Sequence, residues 1–477
     1  MIAKIMLRGT VALGALAMTT APAFAGTGEI LLKRLHEKGI LTDEEYNELL
    51  AEEQQSEQRE AHQNAVIAVT EAPATATEKA QGALDHDKFV KMTDSGIGFE
   101  VGPATIKFAG SVNGFYVHDN PATASATTSV VGGIASVGTK NSSAVRNGLL
   151  PGFLTVSVST QQAGWDVNAF FGLYPGINSA AWGALGANNG GQPTALATAG
   201  IDARQTYMTF GKPKFGTIKI GRDIGLFGSD AILNDITLLS SGSPGGNVAP
   251  ANTTLGRIGS GYIYTDFQPQ MTYSTPKLGG FQASVGVFQP LSSLTGPAQA
   301  NSQPGFQGKL TYDGTFGGVG AHLWASGVSQ KHDMTAGGDY TGRGLDVGAK
   351  VTAGPIAVTG YYYTAEGLGT TVLGLFDTDA SGNTRSSDGF YVQGLATFGK
   401  FAVGGSYGES SLDYANAADA LANPDLVKTN ASTVGQVRYS LTSWVTLIGE
   451  YVHSKAKAHS GNSASSDALA LGGILFF

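Results

Sequence analysis

The pentapeptide Gly404-Gly405-Ser406-Tyr407-Gly408 has the G-x-S-x-G spacing of a nucleophile elbow, where a strained strand-to-helix turn exposes a serine for acyl transfer. Its surroundings deny it that turn. Phe401-Ala402-Val403 leads in as a strand and nothing helical follows. A triad would also need a histidine and a carboxylate beside Ser406 on the outer face, and the sequence offers no such set. The eight histidines have no H-E-x-x-H or other metal spacing, and His322 and His453 read as polar wall or interface groups of strands. The chain has no cysteine, which excludes a thiol nucleophile, a thiolate metal site and a disulfide framework. No catalytic residue, metal ligand or cofactor is assigned. The remaining candidates act through charge. With the apolar parity taken as outward, Lys107, Lys219, Lys309, Lys350, Arg204 and Arg438 fall on the inward parity, against the inward acids Asp166, Asp346 and Glu450. Such charges on a water-facing wall make a field that sorts ions, and this wall reads as more basic than the whole chain, with a mild anion preference.

The elements that position these charges repeat with period two. Ile106, Phe108, Val112 and Tyr116 alternate with Lys107, Ser111 and Asn113; Leu345, Val347, Ala349 and Val351 alternate with Asp346, Gly348 and Lys350. The same pattern runs through Trp165 to Leu173 and Gln436 to Leu441. A soluble sandwich alternates too, so the connections decide. Short turns fall near 161–164, 211–216, 276–280, 313–317, 354–355, 399–400 and 441–443. Long polar stretches at 120–148, 175–200, 291–304, 367–388 and 414–428 lie between them. Sorting short connections to one side and long ones to the other is the mark of an outer-membrane barrel. Counting strands between the breaks gives 16, an all-β antiparallel transmembrane barrel over residues 96–477. Leu469, Leu471, Gly473, Leu475 and Phe477 form a last strand expected to close against the first, with Phe476 a departure on the inward parity. Trp165, Tyr361, Tyr362, Tyr363 and Tyr451 read as interfacial aromatic belts, with pore lining as the alternative for Tyr361 and Tyr363.

Composition agrees. Only 14% of residues are charged, against roughly 25% in ordinary globular domains. Glycine reaches 68 residues, and no apolar run approaches the length of a helical span. At the N-terminus, Lys4 and Arg8 precede the apolar stretch Val11 to Met18 and the A-x-A sequence Ala23-Phe24-Ala25. Residues 1–25 are therefore expected to be a secretory signal peptide. Its removal leaves 27 basic against 37 acidic residues, a charge of −10 that argues against nucleic acid as a partner. Residues 26–60 read as a periplasmic helical hairpin. Ile30, Leu31, Leu32 and Leu35 share a face, Gly39 suits a left-handed C-terminal cap, and Thr42 with Glu45 fits a capping box. Too small to bury its apolar face alone, the hairpin is expected to touch copies of itself or the cell wall. Residues 61–95 read as a linker.

Within 201–290 a resemblance emerges. Arg204-Gln205-Thr206-Tyr207, then Phe215-Gly216-Thr217-Ile218-Lys219-Ile220-Gly221-Arg222-Asp223, resembles the fourth and fifth strands of Gram-negative general diffusion porins. So does the stretch from Leu255-Gly256-Arg257 through Met271-Thr272-Tyr273 to Gly279-Gly280-Phe281-Gln282. The resemblance implies a homotrimer of 16-stranded barrels and a loop after the fifth strand, here 223–256, folded inward as a constriction. It further implies that Arg204 and Arg257 match wall arginines, Arg222 the arginine entering the loop, and Asp230 and Asp235 the loop acids facing them. Two departures from the family pattern point to a wider or less polarised constriction: Phe153 to Thr160 carries no arginine, and the loop lacks an acidic-proline cluster. The implied function is passive diffusion of small hydrophilic solutes or ions across the outer membrane, in contact with its lipid. A channel selective for an anion or a sugar, and a structural barrel tethering the membrane to the cell wall, are the rival readings.

Overall fold

Period-two alternation requires two different solvents, one for each face of the sheet, and the structure provides them. This computed structural model describes residues 90–93, 96–178, 201–244 and 252–477, and strands make up most of these described residues. A short hairpin comes first, β1 (Val90–Met92) and β2 (Ile97–Val101). The long β3 (Ala104–Asn120) is followed by the loop pieces β4 (Ala122–Thr123), β5 (Val137–Gly138) and β6 (Ser142–Arg146). Then come β7 (Phe153–Gln162), β8 (Trp165–Pro175), β9 (Ile201–Lys212), β10 (Gly216–Ile224), β11 (Phe267–Ser274), β12 (Phe281–Phe288) and β13 (Gly305–Phe316). The chain continues through β14 (Val319–Asp333), β15 (Asp339–Ala353), β16 (Ile356–Glu366), β17 (Ser386–Phe398) and β18 (Phe401–Leu412). It ends with β19 (Val427–Ser440), β20 (Val445–Ala458) and β21 (Ser463–Phe476).

Each of β7 to β21 pairs antiparallel with the next, and β21 pairs with β3 from Phe476 opposite Ser111 to Asp467 opposite Asn120. Among the described residues, β3 and β7 to β21 therefore form a closed barrel of sixteen strands, which removes the open edges a membrane cannot accept. The expected strand count and closure hold, and β9 and β10 are indeed the fourth and fifth strands. Every connection in the expected short set is a tight turn, and the broad loops lie at the other end. No helix among the described residues is long and apolar enough to span a membrane.

The outward parity is apolar: Val112, Leu345, Val347, Val392 and Leu471 are exposed, while their inward neighbours Asn113, Asp346 and Ala470 are buried. Trp165 with Phe210, Phe281 with Tyr312, Phe401 with Tyr439 and Trp444 with Phe477 pair on the outer face near the turns. Tyr116, Tyr362, Phe390, Tyr407 and Tyr451 stand exposed towards the loop end, completing a two-belt arrangement. Phe476, the inward exception, is buried beside Phe153, with ring centroids 6.2 Å apart.

Two features were not expected. Val90–Met92, inside the segment read as linker, is a strand paired with β2. β2 in turn pairs with β3 from Val101 opposite Ala104 to Ile97 opposite Phe108, on the same edge that β21 occupies higher up. The two strands thus lie end to end along β3, with Phe477 exchanging both backbone hydrogen bonds with Gly110 at the junction. The segments expected to be a signal peptide (1–25), a helical hairpin (26–60) and the linker before residue 90 lie outside the described residues.

The loops at the broad end are tied together by a buried ion pair. Arg385 Nε and Nη2 donate to the two carboxylate oxygens of Asp419 at 2.7 and 2.6 Å. Asp419 sits in the short helix α1 (Ala417–Ala422), and its carboxylate also accepts from Ala415 N and Asn423 Nδ2. The Arg385 hydrogen bonds outweigh burial and hold the Asp419 carboxyl down at about 2. A depressed carboxyl stabilises the fold above the ordinary carboxylate range, and that contribution is lost as pH falls through about 2. Asp419→Asn is expected to remove on the order of 2 kcal/mol from loop packing at neutral pH. Limited proteolysis should then cut residues 413–426 faster at pH 7, and the difference from the parent should vanish near pH 2. Equal cleavage of both proteins at pH 7 would show that the pair does not hold these loops.

Candidate functional site

Between β10 and β11 the described residues 225–244 and 252–266 turn into the barrel. The wall supplies what their backbone needs. Gln307 Oε1 accepts from Leu226 N and Phe227 N at 2.7 and 3.0 Å, and Asp346 Oδ2 accepts from Gly228 N at 2.7 Å. A one-turn helix, Ser229–Leu233, follows, and Tyr391 Oη donates to its Ala231 carbonyl at 2.8 Å. Gln393 then grips both sides of the chain, accepting from Ile236 N and donating to the Asn234 carbonyl. Arg438 Nη2 donates to the Ile236 carbonyl at 2.7 Å. Glu450 closes this first leg: its two oxygens accept from Ser240 Oγ at 2.5 Å and Gly242 N at 2.6 Å, and Gln436 Nε2 adds a third bond at 2.8 Å. Backbone bonds from Leu149 and Leu150 to the carbonyls of Ser240 and Leu238 dock it against the chain preceding β7.

The second leg returns across the lumen. Asn252 donates to the Tyr174 carbonyl on β8, Arg257 Nη1 to the Ser432 carbonyl on β19, and Gly261 N to Ser410 Oγ on β18. Tyr262 Oη donates to Asp235 at 2.9 Å and ties the two legs together. Such close docking needs a bare wall at β18. A Cβ on Gly408 would stand 2.5 Å from the Ser260 carbonyl oxygen and 2.7 Å from Arg257 Nη1, so only glycine lets the loop lie there.

The expected constriction residues are all placed, and not as expected. Asp230 is clamped directly to the wall, 2.9 Å from Lys309 Nζ on β13 and 3.0 Å from His322 Nε2 on β14; the other His322 nitrogen meets Asp313 at 2.6 Å. Asp235 is consumed within the loop, capping Thr237 N at 2.9 Å and accepting from Tyr262. Arg257 is not a wall residue. Among the described residues no strand follows Ile224 until Phe267, so it belongs to the inward loop, fully buried, with its Nε 3.8 Å from Asp235. Arg204 lies at the loop end of β9, bonded to Asp202 and Asn252 and stacked on the Tyr174 and Phe267 rings. Arg222 is outside. β10 stays regular through it, opposite Thr206 and Pro269, so its exposed side chain keeps the outward parity. Loop acids facing wall arginines across water, as the resemblance implied, are therefore absent from these five residues.

The five cations assigned to the wall alternate with the exposed apolar residues and differ in what they meet. Lys219 pairs with Asp223, and Lys309 with Asp230. Lys107 is exposed near the turn end of the barrel. Lys350 and Arg438 are half-buried in the lumen with no carboxylate within ion-pair distance among the described residues; Arg438 spends its hydrogen bonds on the neutral oxygens of Gln436 and Ile236. The inward acids are held by hydrogen bonds from neutral donors instead: Asp346 and Glu450 each accept several from the loop or wall, and Asp166 accepts from Gln161.

Two readings change, and a third residue is new. Tyr361 and Tyr363 are buried inside the barrel, where Tyr361 stacks on Tyr391 at 5.4 Å; only Tyr362 of that triplet belongs to a belt. Strict alternation from Ile356 and Val358 would have separated them. Ser406 also faces inward, donating to the Val392 carbonyl in the middle of β18, which removes any elbow geometry. The third concerns an arginine in the β3–β7 connection that sequence reasoning missed. Arg146 lies opposite Phe115 on β3, is buried, and donates to the Pro244 and Thr253 carbonyls of the two loop legs. Its position at the end of a polar connection gave no period-two signal.

A family model described as Gram-negative porin matches residues 65–459. Comparison with curated protein sequences gives no match. Among solved structures, the outer membrane channel DcaP of Acinetobacter baumannii is similar at a TM-score of 0.59 and 16% identity, over 81% of this chain and 99% of that one. An anion-selective porin from Comamonas acidovorans is similar at 0.52 and 13%, over 78% and 100%. At these identities the likeness concerns the fold alone.

Proposed function

Because the chain belongs to the Gram-negative porin family, an outer-membrane diffusion channel, we propose that it passes small hydrophilic solutes with a mild preference for anions and no chemical step. The supporting observation is the pair Lys350 and Arg438, two lumen cations without a carboxylate partner, while the inward acids are bonded into the loop and wall. A fixed positive charge in a narrowed, low-dielectric passage raises the local concentration of anions. The inward loop narrows the lumen and is braced on β13 to β20 by side chains. Assembly as a homotrimer, and a role for the 26–60 hairpin in self or cell-wall contact, belong to the same proposal.

The test is conductance of the full mature protein in a planar bilayer under a salt gradient. Steps in threes with a reversal potential on the anion side are expected. Open channels with cation preference would overturn the charge reading and leave the channel standing. Folded protein that never conducts would overturn the channel itself and favour the tether.

A further inference from the structure

On the outer face of the barrel, β18, β19 and β20 enclose a groove of about 350 Å³ at the loop end. Its floor is made of small side chains on β19, Thr429, Ala431 and Thr433. One wall is Tyr407 and Glu409 on β18; the other is His453, Lys455 and Lys457 on β20, and Lys428 stands at the top. Register puts Thr433 opposite both Tyr407 and His453, and Ala431 opposite both Glu409 and Lys455, so the groove exists because a short residue separates two long ones.

Its charge is unbalanced. Glu409 accepts from Tyr407 Oη at 2.8 Å, and His453 is paired with Asp467 at 2.8 Å. Lys428, Lys455 and Lys457 have no hydrogen-bond or ion-pair partner among the described residues. All three are exposed and aim away from the lumen. Three free ammonium groups on the outer wall contribute nothing to ion passage inside. Lys455 lies four residues beyond the belt tyrosine Tyr451, roughly 13 Å along the strand, which sets it at headgroup level rather than in hydrocarbon. Towards the membrane the floor continues through Gly435, where even an added Cβ would meet open space, opposite Gly405 on β18 and the belt residue Tyr451 on β20.

A basic rim above a smooth apolar track matches a lipid with a phosphorylated headgroup and an acyl chain. We propose that this groove binds one such lipid of the outer leaflet, its phosphomonoester held by Lys428, Lys455 and Lys457 and a chain lying over Ala431, Thr433 and Gly435. The proposal needs only an outer-membrane barrel and is independent of the lumen's ion preference.

The test measures binding of diphosphorylated lipid A to the purified full-length protein in detergent, by native mass spectrometry and by titration. Two variants serve, the triple change Lys428→Gln, Lys455→Gln, Lys457→Gln and the single change Ala431→Phe. The triple variant should bind about a hundredfold more weakly, at roughly fivefold per lysine near an anionic headgroup. Ala431→Phe keeps every charge but fills the floor, and should weaken binding comparably. Both should conduct like the parent, which certifies their fold. Unchanged affinity in the triple variant would overturn the proposal. Full affinity in Ala431→Phe would reduce the site to diffuse surface charge and overturn the groove. Competition by millimolar inorganic phosphate alone would assign the lysines to free anions, and a dimer or trimer lost in either variant would assign the face to a second copy of the chain.

Discussion

Replacing Lys350 by Glu should move the reversal potential of the open channel to the cation side, with a permeability ratio shifted about tenfold at 0.1 M salt. Lys350 is the cleanest lever in the lumen because it makes no hydrogen bond among the described residues that the substitution would break. Arg438 also has no carboxylate within ion-pair distance among the described residues, but it holds the Ile236 carbonyl, so a glutamate there would also repel the loop. Lys350→Glu with Arg438→Gln removes three units of positive charge while leaving a donor beside Ile236, and should shift selectivity further than the single change. Screening gives the internal control. The Debye length falls from about 10 Å at 0.1 M to about 3 Å at 1 M, so the difference between variants should shrink as salt rises. Selectivity that ignores both substitutions at low salt would mean that ions do not pass these side chains.

Glu450→Ala should release the far end of the inward loop without unfolding the barrel. Glu450 binds Ser240 Oγ, Gly242 N and Gln436 Nε2 in a fully buried setting; its removal leaves Gly242 N without an acceptor, Ser240 Oγ with only the Thr237 carbonyl, and Gln436 Nε2 with Ser240 Oγ and the Ile236 carbonyl. Charge-assisted hydrogen bonds and a buried unsatisfied donor together put the loss at about 3 kcal/mol of loop anchorage. That corresponds to roughly a hundredfold rise in the population of the detached loop. Single-channel recordings should show noisy currents with frequent transitions, and proteolysis within 234–244 should accelerate, while heat resistance of the barrel stays near that of the parent. Cooperative loss of the whole barrel would instead mean that the loop is part of what holds the walls together.

The barrel was legible because its physics is repetitive. Alternation at Leu345, Asp346 and Val347 is enforced by two solvents, and the sorting of short and long connections by two sides of a membrane, so each leaves a signal in every hairpin. The lumen cations were legible for the same reason, since inward placement follows from parity alone. The constriction was not. Whether Asp230 faces water or Lys309, and whether Arg257 sits on a wall or in the loop, depends on where 225–266 lies in three dimensions, and no local period encodes that. Arg222 shows the limit of resemblance: its motif matched, yet strand regularity carried it to the outer face. The inner tyrosines fall between these cases. Their parity was available, but a belt role, general to such barrels, competed with it.

The end-to-end arrangement of β21 and β2 on one edge of β3 bears on how the cylinder shuts. A sheet can in principle zip closed in several registers, each offset by two residues and each keeping apolar side chains outward. Here β2 already occupies Ala104 to Phe108, and the incoming strand meets it at Gly110 with only Ala109 left between them. The hairpin therefore works as a doorstop. It lets the final strand slide into place from above and halts it at one stagger, so the circumference and tilt of the finished cylinder are set by a few residues that never cross it.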